Sequence, residues 1–84
     1  MDNEFVVFGG LWFDKVNGNT YNVAKILDLK KGDMYYTKYT YGYGHMYYHE
    51  AEQYIREDLG CPEFLLFDMG SSFFNKRQLL QNNF

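Results

Sequence analysis

Two histidines and a glutamate in the string HMYYHEAE have the residue types and the spacing that could bind a metal ion. His45 and His49 are four residues apart, and Glu52 follows three residues later. On a helix this spacing brings two imidazoles and a carboxylate to one face, the ligand set of several transition-metal sites. His45 follows Gly44 at the expected helix start, however, and the string lacks the HExxH order of zinc proteases. We therefore expect no bound metal and keep the three residues as a weak candidate.

No nucleophile or carboxylate pair in the sequence has the neighbours that catalysis requires. Cys61 is the only cysteine, and its only candidate bases are the two distant histidines. The acidic pairs Glu50–Glu52 and Glu57–Asp58 stand two residues and one residue apart, a spacing that points helical side chains away from each other. We expect a protein that is not an enzyme and that holds no cofactor.

The compartment follows from the cysteine count and from hydropathy. One cysteine excludes an internal disulfide, which favours a reducing compartment. The N-terminal string MDNEFVVF is acidic where a signal peptide would be basic, and no apolar run approaches the ~18 residues of a membrane span. We expect a cytoplasmic protein that makes no contact with a membrane.

Aromatic side chains are the strongest feature of the sequence. Seven of the nine tyrosines lie in residues 35–48, in the string YYTKYTYGYGHMYY, and aromatic residues make up 21 % of the chain. A chain of 84 residues has a small interior, so we expect some of these rings to remain exposed. An exposed tyrosine offers an apolar face and a polar tip, which suits contact with a partner. A homodimer is an alternative way to cover the surplus rings.

Charge is unevenly distributed along the chain. The formal net charge is −3, which argues against generic binding to nucleic acid. Residues 14–41 carry five lysines against three aspartates, whereas residues 45–68 carry one arginine against six acids. The acidic stretch could imitate a DNA backbone or occupy a basic nucleic-acid channel, although a solvated helix face explains it equally well.

Periodicity predicts a single α+β domain over residues 1–84. Two runs rich in β-branched and aromatic residues, 4–13 and 20–28, flank a turn centred on Asn17-Gly18, and a third run follows at 34–41. These runs predict a three-stranded antiparallel β-meander. A helix over residues 45–59 ends at Gly60, and its apolar spacing would pack it on the meander. Gly9-Gly10 interrupts the first strand, and we expect a ring from a neighbouring strand to pack flat on it.

The third strand and the tail carry further expectations. Alternation would place Tyr35, Thr37, Tyr39 and Tyr41 on one face of the third strand. Residues 63–69 form either a short fourth strand or an apolar linker. Ser71-Ser72 could cap a final helix.

Two binding functions fit these patterns. In the first, an aromatic face and an acidic helix bind a partner protein. In the second, the sheet stacks on single-stranded RNA or DNA while lysines contact phosphates. The residues expected to contact a protein are Trp12, Tyr36, Tyr43, Glu50, Glu57 and Asp58, and those for nucleic acid are Tyr35, Tyr39, Tyr41, Lys25 and Lys38.

Two strings resemble a family of short proteins encoded by bacteriophages, prophages and plasmids. They are VVFGGLWFDKVNGNTYNVAKI at residues 6–26 and YTYGYGHMYYHEA at residues 39–51, about half of the chain. The resemblance implies an accessory protein of a mobile element in the cytoplasm of a bacterial host. Such proteins often bind and block host machinery, including CRISPR effectors and restriction nucleases. The resemblance supplies no catalytic residues, and it does not extend beyond Cys61.

Overall fold

A mixed β-sheet of five strands forms the framework of the protein. The structure is a computed structural model that describes residues 3–84. Strand β1 (Glu4–Asp14) pairs antiparallel with β2 (Asn19–Asp28), which pairs antiparallel with β3 (Met34–Tyr36) and with β4 (Thr40–Tyr41). Strand β5 (Leu65–Phe73) lies parallel to β1 on its other side, giving the order β3-β2-β1-β5. The α+β class is confirmed, but the sheet is larger than the predicted three-stranded meander.

Two turns of the same design join the first three strands. The Asp14 carboxylate accepts the backbone N–H groups of Val16 and Asn17 at 3.0 and 3.3 Å, and Gly18 follows with φ of 71°. The Asn17 side-chain amide also donates to this carboxylate, and it is the largest of the contacts that lower the pKa of Asp14. Asp28 caps the second turn in the same way, ahead of Gly32 with φ of 78°. Glycine suits both positions because a positive φ costs it little.

One helical segment covers one face of the sheet. Helix α1 (Met46–Gln53) continues into a π-helical turn (Tyr54–Asp58), and Gly60 follows the end with φ of 66°, as predicted. Tyr47, Ala51 and Ile55 are buried against the sheet, which confirms the predicted apolar face. Within residues 3–84, neither helix has the length and apolarity needed to cross a lipid bilayer.

The tail departs from the sequence prediction. Of residues 63–69, expected to form a short fourth strand or a linker, residues 65–69 belong to β5, so the strand alternative is confirmed for them; β5 is nine residues long and extends to Phe73. Ser71 and Ser72 lie within that strand, so the prediction that they cap the last helix is wrong. Helix α2 (Lys76–Leu80) is instead capped by Asn75, whose side chain accepts from the Gln78 N–H at 2.9 Å while the Gln78 side chain accepts from the Asn75 N–H. This reciprocal pair is a capping box.

The two glycines of β1 mark the two faces of the sheet. A Cβ on Gly9 would lie 2.5 Å from the Tyr47 ring of α1, and a Cβ on Gly10 would lie 2.7 Å from Leu79 and 2.8 Å from Phe84. Close packing at the glycine pair is therefore confirmed, although the rings come from α1 and the tail. We call the two sides of the sheet the α1 face and the α2 face. The core on the α1 face joins Tyr47, Ala51 and Ile55 to Phe5, Val7, Ala24 and Ile26.

The predicted third strand is broken in two. Lys25 pairs with Tyr36 in β3, but Tyr21 pairs with Tyr41 in β4, so one extra residue is accommodated between the two short strands. At the break, Thr37 turns its hydroxyl to the backbone and accepts the Ala24 N–H at 2.8 Å. Because side chains alternate along a strand, a shift of one residue moves every later side chain to the opposite face.

Candidate binding groove

An open groove of about 350 Å³ lies between α1 with its π-turn and the break after β3. Four of the six residues expected to contact a protein, Tyr36, Glu50, Glu57 and Asp58, line it together. These residues are up to 22 positions apart in sequence, and the packing of the helix on the sheet brings them into one site. The remaining lining residues are Thr37, Lys38, Gln53 and Tyr54.

The helical segment presents its groove residues by regular spacing. Glu50, Tyr54 and Asp58 follow one another at four-residue steps, and Gln53 and Glu57 precede the last two by one residue. These positions share one side of the helix, next to the side buried on the sheet. In the π-turn the Leu59 N–H donates to the Tyr54 carbonyl at 3.1 Å, one residue further back than in an α-helix. π-Turns occur frequently at functional sites.

The groove is acidic. Its lining carries the carboxylates of Glu50, Glu57 and Asp58 against a single ammonium group, that of Lys38. Glu57 accepts a 3.4 Å hydrogen bond from Gln53, and within residues 3–84 none of the three carboxylates has a cation within 4.0 Å. Carboxylates that lack a counter-charge attract cationic groups from a partner, most strongly at low ionic strength. The groove therefore suits a lysine- or arginine-bearing segment.

The aromatic ring of Tyr54 lies in the groove wall, at the point where the π-turn meets the sheet. It lies against Tyr35 with ring centroids 5.7 Å apart. The ring of Tyr36 lies on the α2 face, where it packs edge-on against Phe84 at 5.9 Å. Partial burial and the nearby carboxylate of Asp33 raise the pKa of the Tyr35 phenol. A neutral ring beside carboxylates is well suited to arginine, because a guanidinium can stack on the ring and form an ion pair with a carboxylate at the same time.

The five residues predicted to contact nucleic acid do not share a face. Tyr35 lies on the α1 face, where it packs on Tyr54, whereas Tyr39 and Tyr41 lie beside Tyr21 on the α2 face. The prediction that Tyr35, Tyr39 and Tyr41 form one platform is wrong because of the one-residue shift after β3.

The two lysines of that set are also separated. Lys25 lies on the α2 face, with its Nζ bonded to the backbone oxygen of Phe84 and 5.6 and 5.2 Å from the ring centroids of Phe8 and Phe84. It is therefore held within the protein and not presented to a phosphate. Lys38 lines the acidic groove.

The other two predicted protein contacts lie in an aromatic cluster at the hairpin end of the α2 face. Tyr21 stacks on Tyr39 with ring centroids 5.1 Å apart, and Trp12 lies 5.9 Å from Tyr21. Tyr41 and Tyr43 extend the cluster and are 56 % and 66 % exposed. Sequence reasoning missed Tyr21 as a member. In the β1–β2 register, which is set by a four-residue connection over residues 15–18, Tyr21 lies directly opposite Trp12. A two-residue turn at Asn17-Gly18 would have put Val23 there instead.

Tyr39 is the most enclosed hydroxyl of this cluster. Its oxygen is buried and has no hydrogen-bond partner among residues 3–84. Burial, followed by the neighbouring Tyr21, raises the pKa of the Tyr39 phenol. An unpaired buried hydroxyl costs free energy, so stacking on Tyr21 must offset that cost.

The weak metal candidate is not assembled. His45 is the N-cap residue of α1 and lies just outside the helix, with its ring 6.2 Å from that of Tyr47. His49 Nδ1 lies 3.4 Å from Glu52 Oε1. Across residues 3–84, no three His, Cys, Asp or Glu side chains are placed to hold a metal ion together. Cys61 is half-buried, and its Sγ donates to the Glu63 carbonyl at 3.3 Å.

No family model, no curated protein and no solved structure matches this chain. The resemblance of residues 6–26 and 39–51 to proteins of mobile elements stays a prediction. Charge and geometry are the basis on which a function can be assigned.

Proposed function

We propose that this chain is a non-enzymatic binding protein whose acidic groove takes a basic segment of a host protein. The observation that carries the proposal is the convergence of Glu50, Glu57 and Asp58, none with an internal counter-charge among the described residues, beside the ring of Tyr54. A bound lysine or arginine would gain a charge partner and an aromatic contact in the same site.

The nature of the host protein follows from the charge that the groove would recognise. Proteins that handle nucleic acid carry lysine- and arginine-rich channels for phosphates. A groove whose three carboxylates have no counter-charge among residues 3–84 can compete with phosphates for such a channel and so block it. With the resemblance to proteins of mobile elements, this chemistry supports a phage or plasmid accessory protein that inhibits a defence complex, of the anti-CRISPR or anti-restriction type.

A charge-matched pair of triple variants tests the groove. The groove variant carries Glu50→Gln, Glu57→Gln and Asp58→Asn, and the control variant carries Asp33→Asn, Glu52→Gln and Glu63→Gln at sites outside it. Each removes three negative charges, so both raise the formal net charge from −3 to 0. We expect the groove variant to weaken binding of a fluorescent arginine-rich peptide by roughly tenfold or more, and the control variant to change it little. Equal losses in both variants would show that only net charge matters.

The aromatic cluster supports a second candidate function, stacking on single-stranded nucleic acid. Tyr41 and Tyr43 are exposed beside the stacked pair Tyr21–Tyr39, and Lys76 Nζ lies 5.5 Å from the Trp12 ring centroid. Exposed rings next to a cation are the elements of a base-stacking site. If this function holds, Tyr43→Ala will weaken binding of a labelled single-stranded oligonucleotide, whereas the groove variant will not.

A further inference from the structure

The half of the α2 face farthest from the hairpin end is apolar and carries no covering element within the described residues. The pairing register aligns Phe67, Val6, Leu27 and Met34 in one row that crosses β5, β1, β2 and β3. A second row begins with Leu65 opposite Glu4, and the Leu29 N–H donates to the Glu4 carbonyl at 3.0 Å. We call this surface the apolar patch, formed by Val6, Leu27, Leu29, Met34, Leu65 and Phe67.

The rest of the α2 face shows how such a surface is normally covered. There Leu79 and Phe84 lie on Gly10, and Phe84 also packs on Phe8 and Tyr36. Leu79 and Val23 are fully buried as a result. By contrast, Leu65 is 57 % exposed, and Phe67, Met34 and Leu29 are each 47 % exposed. The tail thus covers one half of the face and leaves the other half in solvent.

We infer that a second copy of this chain covers the apolar patch, face to face, in a symmetric dimer. The exposed part of the six side chains amounts to roughly 500 Å², so two copies would bury roughly 1,000 Å², the size of a weak, reversible interface. Apolar sheet faces commonly pack on one another at about 10 Å separation, as in β-sandwiches. We therefore expect a dimer that dissociates on dilution.

The charges at the patch favour a second copy over a charged partner. Glu4 is the only charged residue in the two rows, and Lys30 and Lys31 lie in the adjoining β2–β3 turn. A two-fold axis would give each Glu4 carboxylate the lysines of the other copy as counter-charges, because a symmetric interface repeats every contact. The two lysines stand in the adjoining turn and not in the rows, so the patch itself presents no cation to a phosphate or to an anionic membrane surface. The groove is built from other residues, so each dimer would present two grooves.

Sedimentation equilibrium over a concentration series from about 1 to about 300 µM tests the inference. We expect the wild-type mass to rise from monomer to dimer. Phe67→Glu places a charge at the β5 end of the patch and should weaken the dimer by roughly tenfold or more. Phe73→Glu is the matched control, because Phe73 is an exposed phenylalanine of the same strand that pairs with Leu11 beyond the patch. It should leave the dimer unchanged.

A second variant guards against misfolding. Met34→Glu lies in β3 at the opposite end of the row and should weaken the dimer in the same way, with circular dichroism confirming that each variant is folded. If Phe67→Glu fails to fold, Met34→Glu decides the outcome. A wild-type protein that stays monomeric throughout the series would overturn the inference. A dimer that survives both patch variants, or that Phe73→Glu abolishes, would overturn it as well.

Discussion

The phenol ring of Tyr47 lies flat on the backbone of Gly9, and its hydroxyl donates to both carboxylate oxygens of Asp68, at 2.8 and 3.0 Å. Tyr47 belongs to α1, Gly9 to β1 and Asp68 to β5. The missing side chain at Gly9 allows the ring to cross β1 and reach the edge strand. One tyrosine therefore connects the helix that forms the groove to the parallel strand β5, which the sequence offered only as an alternative to a linker.

Gly9→Ala should destabilise the fold by roughly 1–3 kcal/mol, because the added methyl would lie 2.5 Å from the Tyr47 ring and force it away. Chemical denaturation measures the free energy of unfolding. The same substitution in a Tyr47→Leu background should cost less, since the clash is then relieved. Equal costs in the two backgrounds would show that the ring does not constrain Gly9.

Tyr47→Phe keeps the ring and removes only the hydroxyl that donates to Asp68. We expect a loss of about 1.5–3 kcal/mol in the free energy of unfolding, the usual value for a hydrogen bond to a charged acceptor. Asp68 keeps a 2.8 Å hydrogen bond from the Gly70 N–H, which limits the loss. Tyr43→Phe is the control, because the Tyr43 side chain is largely exposed, and it should change stability by less than about 0.5 kcal/mol. Equal effects of the two substitutions would contradict this role for Tyr47.

Stability should fall in alkaline solution. Burial is the largest cause that raises the pKa of Tyr35, Tyr39 and Tyr47 above the ordinary value of 10.0. Between that value and the higher folded-state pKa, the folded protein binds more protons than the unfolded chain does. The stabilisation that these three tyrosines contribute to the folded state is complete below about pH 10 and is lost as the pH rises above that value. Denaturation at a series of pH values measures the free energy of unfolding. In Tyr47→Phe this free energy should decline less steeply with rising pH than in the wild type. A free energy of unfolding that stays constant to about pH 11 would contradict it.

The start of α2 depends on Asn75. Asn75→Ala removes the side chain that accepts the Gln78 N–H and should cost about 0.5–2 kcal/mol. Ser72→Ala is the informative control, because Ser72 was a predicted cap but lies exposed within β5. It should cost less than about 0.5 kcal/mol. If Ser72→Ala destabilised the protein more than Asn75→Ala, Ser72 would be the cap of α2, as the sequence predicted.

The sequence predicted the features that depend on neighbouring residues. The turn at Asn17-Gly18, the helix stop at Gly60 and the buried side of α1 follow from local conformation and periodicity. The exposure of Tyr41, Tyr43 and other rings followed from the small interior.

Features that depend on distant contacts were not predictable in the same way. The string LLFDM could equally be a linker, because its pairing with β1 requires α1 to carry the chain across the sheet. The break after β3 depends on Thr37 bonding to Ala24, and alternation alone cannot reveal a shifted register. Tyr36, Glu50, Glu57 and Asp58 line one groove because the helix packs on the sheet, and the sequence pattern does not show that contact.

Affinity capture from a nuclease-treated bacterial lysate, with mass spectrometry of the bound proteins, tests the central claim most directly. The baits are the wild-type protein, the groove variant and the charge-matched control variant. We predict that the wild type and the control variant retain the same basic, nucleic-acid-handling protein and that the groove variant loses it. A parallel capture from a lysate without nuclease treatment completes the test. If it retains nucleic acid alone, with binding that weakens steeply as salt rises, the claim is contradicted. Retention of the same protein by all three baits would contradict it as well.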